Sequence, residues 1–446
     1  MKKNSIIKEV IDISLPVIAE MVVYNFMKIF DIMMLGRYGG NKVVSAVTLS
    51  NEIINTFYNI FISSGLSIAI TSYIARSVGR NDMETAKEYS IIGMKIGILF
   101  SIFISSMFFI FSNEFLYIFK AYDRVKTYGN LYMKIISISL LPNIFINIIN
   151  SILRGVGNTK TPFMVSLIVS LSKVMFDFIL IFGLFSRALG IAGAAIATLV
   201  SQLLGSLYLF LYMKKVFRIK ITFKRKCSFK RVKDIISLTI PCVFGEAAYS
   251  LSRLICTGMI MVLGPSAFAA NGIANTIEGM SVMPSVGIGI ATTTLVGIKV
   301  GERDLKGAKK YASKCSIFAL GMVMFFSIMF LTIPNFLSKL FISGREIEVI
   351  TITAACLHIG SIEQPFIAIS NIFSGGLKGM GDAKTPFIIS TITGWCIRLP
   401  LIFYFIYILK KPVTLVWWIT NLQWIIEGIL MYIYFRKKFV NFRSYY

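Results

Sequence analysis

The chain has 446 residues, 56% hydrophobic and only 15% charged, with a formal net charge of +25. Soluble domains carry about 25% charged residues, so the composition excludes a soluble globular protein. The excess of Lys and Arg is therefore weighed loop by loop, and does not imply an acidic partner. Six Cys and one His fall in no metal-type or disulfide-type spacing, so buried free thiols are expected and no structural metal.

A helix needs roughly 20 apolar residues to cross a bilayer. The N-terminal stretch MKKNSIIKEVIDISLP has no small-residue cleavage site and runs into a full-length span, which predicts a retained first helix. Six spans centre on 11–36, 44–75, 90–111, 131–152, 162–185 and 191–213. The run 214–233 follows, with ten basic residues and no acidic one. Six more spans centre on 235–263, 267–300, 315–336, 350–374, 386–409 and 413–435. Backbone groups left unpaired in lipid force helices, and the period-2 pattern of a barrel is absent. The expected fold is an all-α integral membrane protein of twelve transmembrane helices.

Loops on the side of the N-terminus carry thirty Lys and Arg, and the opposite loops ten. That asymmetry predicts both termini and the 214–233 loop on the cytoplasmic side. The loop is expected to be a solvated linker or to touch anionic lipid headgroups. Nothing around it forms a nucleic-acid-binding domain.

The two halves repeat. Arg154-Gly-Val-Gly-Asn-Thr-Lys-Thr-Pro-Phe163 matches Lys378-Gly-Met-Gly-Asp-Ala-Lys-Thr-Pro-Phe387, and Val78-Gly-Arg-Asn-Asp82 matches Val300-Gly-Glu-Arg-Asp304. Pro16 and Pro241 fall early in the first helix of each half. Six spans per half bring both copies in from the same side, which predicts two pseudo-symmetric six-helix lobes, 1–213 and 234–446, joined by the basic linker 214–233. The Gly155-x-Gly157 stretch lacks the Lys-Ser/Thr pair of a phosphate loop. It is expected to be a turn, with Thr161 capping the next helix and Pro162 in its first turn.

Ionisable residues inside spans are costly and point to cavities or ion pathways. The first half offers Glu20, Lys28, Asp31, Glu52, Lys134, Lys173 and Asp177; the second offers Glu246, Arg253, Glu278, Glu363, Arg398 and Glu427, with the lone His358. Lys173 and Asp177 are four apart on one helical face and are expected to pair.

Leu15-Pro16, Asp31 with Gly36, the Val78-Gly79 turn, the Gly155-x-Gly157 turn with Thr161-Pro162, and the same features in the second half make a specific set. On these the chain resembles the MATE family of multidrug and toxic compound extrusion transporters, over essentially its whole length. The resemblance implies two lobes forming a V and export of amphipathic or cationic compounds by alternating access. It implies H+ or Na+ coupling with no other cofactor, in a bacterial cytoplasmic membrane, by a monomer. Members with an N-lobe coupling site use an Asp in the first helix, an Asn and an Asp four apart in the fifth, and a Thr in the sixth. Asp31, Asp177 and Thr198 match; Lys173 stands where the Asn would be, which leaves open a proton or a Na+ near Asp31 and Asp177. Another branch pairs a helix-7 Glu with a helix-10 Asp. Glu246 stands for the first, the second aligns with Ile367, and Glu246 with Glu278 is carried as a second candidate site. Glu20, Tyr24, Glu52, Phe57 and Trp395 are candidate cavity residues, the aromatics offering cation–π contacts.

The nearest alternative is a flippase for lipid-linked sugars on a related fold, although the extra helices and basic cavity of such proteins are not evident. An enzyme is not expected, since no HExxH or GxSxG pattern occurs.

Overall fold

The computed structural model describes residues 2–119, 123–183, 188–217, 228–342 and 346–443, and these contain helices and turns but no strand. Twelve long helices follow one another among the described residues. In the first half they are α1 (2–39), α2 (Val43–Gly79), α3 (Met83–Ile110), α4 (Val125–Gly155), α5 (Lys160–Phe182) and α6 (Ile191–Lys215). In the second they are α7 (Phe229–Leu263), α8 (Pro265–Gly301), α9 (Leu305–Thr332), α10 (Ile347–Gly379), α11 (Lys384–Ile408) and α12 (Thr414–Arg443). Gly40, at φ 62°, breaks an otherwise continuous helical run between α1 and α2. Helices α2 to α11 are long and apolar enough to cross a membrane. In α1 and α12 ionisable side chains, Asp31 and Glu427 among them, dilute the apolar run.

Leu99, Phe103, Ile110, Leu171, Leu254 and Phe325 are each more than 60% exposed. Apolar surface on this scale is what a bilayer solvates. Cys242, Cys256, Cys315 and Cys356 are buried free thiols, whereas Cys396, expected to be buried, lies on an exposed face. Cys227 lies outside the described residues, as does half of the basic 214–233 run, residues 218–227.

The chain forms two compact units, one of Met1–Ile18, Gly79–Asn81 and Ile240–Tyr446, the other of Ala19–Val78 and Asp82–Thr239. The start of α1 thus belongs with the second half, and the start of α7 with the first. Both helices change unit beside a proline, Pro16 or Pro241, which lacks an N–H and weakens the helix locally. In the first unit Val10 and Ile18 pack with Ile288, Leu295, Val323 and Ile372, and the Tyr311 hydroxyl donates to the Glu9 carboxylate. In the second unit the Tyr89 hydroxyl donates to Asp234 Oδ2 at 2.8 Å, and Arg231 pairs with Glu88. The two tyrosines are related by the repeat, and so are the two carboxylates.

The repeated turns agree in detail. Asn81 and Arg303 are left-handed at φ 58° and 62°, and the carboxylates that follow cap the next helices, Asp82 Oδ1 from Thr85 N at 2.9 Å and Asp304 Oδ1 from Gly307 N at 2.8 Å. Gly157 and Gly381 have φ 86° and 89°, where a side chain is strained. The expected cap by Thr161 is corrected: Asn158 Oδ1 accepts from Thr161 N at 3.1 Å, and in the repeat Asp382 Oδ1 accepts from Thr385 N at 3.1 Å.

Asp382, in the loop between spans, also accepts from Lys438 Nζ at 2.7 Å. Burial raises its pKa, but Lys438 and Thr385 together outweigh this and hold the carboxyl below its ordinary value. A depressed carboxylate pKa stabilises the fold above the unfolded value and loses that contribution as pH falls through the folded one. Lys438→Met is therefore expected to lower the thermal midpoint at neutral pH. The gap to the wild type should close as the pH is taken below about 4.

Candidate functional site

In the unit containing Ala19–Val78, a single ammonium holds two carboxylates. Lys173 and Asp177 lie one turn apart on α5, and Lys173 Nζ is 2.7 Å from Asp177 Oδ2. The same nitrogen is 3.0 Å from Asp31 Oδ1 on α1. Lys173, Asp177 and Asp31 are 4%, 1% and 7% exposed. The triad carries a formal charge of −1, and Asp177 Oδ1 has no hydrogen-bond partner among the described residues. Charges this deep survive only when paired, because desolvation costs several kcal/mol per ion, on the order of what a good pair returns. One positive charge, a proton or a monovalent cation, would make the triad formally neutral.

Thr198 is not drawn into the triad. Its hydroxyl donates to the Ala194 carbonyl of α6 at 2.9 Å. Glu20, placed among the cavity residues by sequence, is instead held by Arg154, whose Nη2 is 2.7 Å from both carboxylate oxygens. Tyr24 and Glu52 are exposed, with Lys28 Nζ 4.8 Å from the Tyr24 ring centroid. Phe57 packs with Phe61, Phe108 and Phe115. These four candidates are not brought together by any contact among the described residues.

In the other unit, Trp395 Nε1 donates to the Ala248 carbonyl at 3.0 Å. The carboxyl of Glu278, carried by sequence with Glu246, lies against that of Glu363, with Arg398 in electrostatic reach of both. Glu363 is fully buried, with its carboxyl facing that of Glu278. Glu427, 4% exposed, is surrounded by hydroxyl and amide donors. Both glutamates stood out in the sequence only as ionisable residues within spans. Their surroundings come from other helices and leave no local pattern.

Twelve helices in two repeated halves, with an apolar exterior and ionisable side chains buried in each half, define a multi-pass membrane protein. The MatE family model matches residues 16–179 and again 241–404, and the chain belongs to that family of transporters, the MATE family. Among its relatives, the probable multidrug resistance protein NorM of Thermotoga maritima is 26% identical over 400 residues, covering 89% of this chain and 85% of its own. The uncharacterized transporter YisQ of Bacillus subtilis is 25% identical over 428 residues, covering 95% and 92%. A MOP superfamily transporter from Pyrococcus furiosus has the same fold, with TM-score 0.90 at 19% identity over 98% of this chain and 96% of that one. An outward-facing multidrug resistance MATE transporter matches with the same TM-score, identity and coverage.

Proposed function

We propose that this chain exports amphipathic or cationic small molecules by alternating access, driven by exchange of a proton at the Asp31–Lys173–Asp177 triad. The halves 1–213 and 234–446, joined by 214–233, act as its two lobes. Family membership supports the transport class, and relatives named as probable multidrug resistance proteins support the substrate class. The observation that carries the choice of ion is Lys173 Nζ, seated 2.7 Å and 3.0 Å from the two carboxylates. A fixed ammonium supplies the positive charge that a bound metal cation would otherwise bring, leaving one unit of negative charge for a proton.

Everted membrane vesicles given a fluorescent cationic dye in the medium test this, export appearing as uptake into the lumen. A proton gradient alone should drive dye movement, and collapsing it should stop the movement. Transport that follows only a Na+ gradient would overturn the proposal.

We also place both termini and the 214–233 loop in the cytoplasm, on the thirty-to-ten asymmetry of basic residues. Cys227 reports on this directly. A membrane-impermeant thiol reagent should modify it only after permeabilisation, with Cys227→Ala as the control. Modification in intact cells would reverse the topology.

A further inference from the structure

Glu427 lies on α12, 4% exposed, and no positively charged group among the described residues touches its carboxylate. Four neutral donors converge on it instead. Ser370 on α10 and Ser390 on α11 each donate to Oε1 at 3.0 Å. Thr393 on α11 donates to Oε2 at 2.9 Å, and Gln423, one turn earlier on α12, does so at 3.2 Å. Arg398 reaches only as far as Gln423, its Nη1 standing 3.5 Å from Oε1. Between Thr393 and Arg398, α11 winds as a π-helical turn, a departure from regular geometry that recurs at functional sites.

Four donors occupy the acceptor positions of the carboxylate. Yet an ionised group deep in a membrane protein is costly unless a counter-charge accompanies it. The cage supplies no positive charge of its own to balance an ionised Glu427. Each Ser or Thr hydroxyl also has lone pairs and can turn its hydrogen away to present oxygen. Three hydroxyl oxygens and a carboxylate form an all-oxygen set, the donor chemistry of hard cations. With one carboxylate in the set, a divalent ion would leave net positive charge buried, whereas a monovalent ion balances it.

We propose that Glu427, Ser370, Ser390 and Thr393 form a binding site for a monovalent alkali cation, separate from the proton-exchanging triad. The test uses the purified full-length protein in detergent. Its thermal midpoint is followed while NaCl replaces N-methyl-D-glucamine chloride at constant ionic strength. A ligand that binds only the folded state raises the midpoint saturably. Na+ should do so for the wild type, and Glu427→Gln should abolish the response. Thr393→Val and Ser390→Ala each remove one oxygen and keep the charge. Each should move the response to Na+ concentrations about tenfold higher, a typical effect of weakening a metal site. These two variants decide the matter even where Glu427→Gln fails to fold. Asp31→Asn should keep the response. Equal midpoints in the two salts, or a Na+ response unchanged in Thr393→Val and Ser390→Ala, would overturn the proposal. So would loss of the response in Asp31→Asn, which would put the ion in the other unit. Dye export under a proton gradient does not depend on this outcome, so the two proposals fail separately.

Discussion

Asp31→Asn is expected to abolish gradient-driven export while the protein still folds and inserts. The wild-type triad carries a formal −1 and becomes neutral on taking one proton. Asparagine at position 31 leaves Lys173 paired with Asp177 alone, at 2.7 Å, and fixes the triad at neutral without any proton. The buried side chain is then no longer charged, so its desolvation cost disappears along with its attraction to Lys173. Stability should change by no more than about 1–2 kcal/mol in either direction, the range of ordinary substitutions. The measurements are dye uptake into everted vesicles and the thermal midpoint of the purified protein. Export at the wild-type rate under a proton gradient would reduce Asp31 to a structural partner of Lys173.

Replacing Lys173 should cost more stability than replacing either acid. Lys173→Met leaves Asp31 and Asp177 buried with no counter-charge, and breaking a buried pair from one side costs about 3–5 kcal/mol. The double variant Lys173→Met/Asp177→Asn should recover part of that loss, because one of the stranded charges is gone. Lys173→Asn goes further, since it restores the residue that the family pattern has at this position. With the ammonium removed, two carboxylates and an amide remain, a set with room and charge for a metal cation. The variant should lose proton-driven export or gain dependence on Na+. Unchanged transport with unchanged ion dependence would show that the ammonium is not part of the coupling.

How much of this was legible in one dimension depended on distance along the chain. The pairing of Lys173 with Asp177 follows from a spacing of four on one helix, and the turns at Gly157 and Gly381 from their repeated glycines. Asp31 was singled out by motif, but its 3.0 Å approach to Lys173 joins α1 to α5 and has no local signature. Glu20, an ionisable residue within a span, was a cavity candidate, and no spacing along the chain links it to Arg154. The helix α4 runs on to Gly155, which brings the guanidinium within its reach. Glu427 was hardest to interpret. Serine and threonine are common in membrane helices, and nothing in the sequence marks Ser370, Ser390 and Thr393 as facing one carboxylate.

The exchange of helix starts bears on how such a chain arose. A gene encoding one half alone would make a first helix whose opening turns have no docking surface in their own compact unit. Two copies of that half would supply the surface to each other, by the same reciprocal trade that Glu9–Tyr311 and Tyr89–Asp234 display within this chain. Fusion of the two genes then converts a swapped homodimer into one polypeptide. The halves expressed as separate fragments, cut within 214–233, should accordingly be recovered together or not at all.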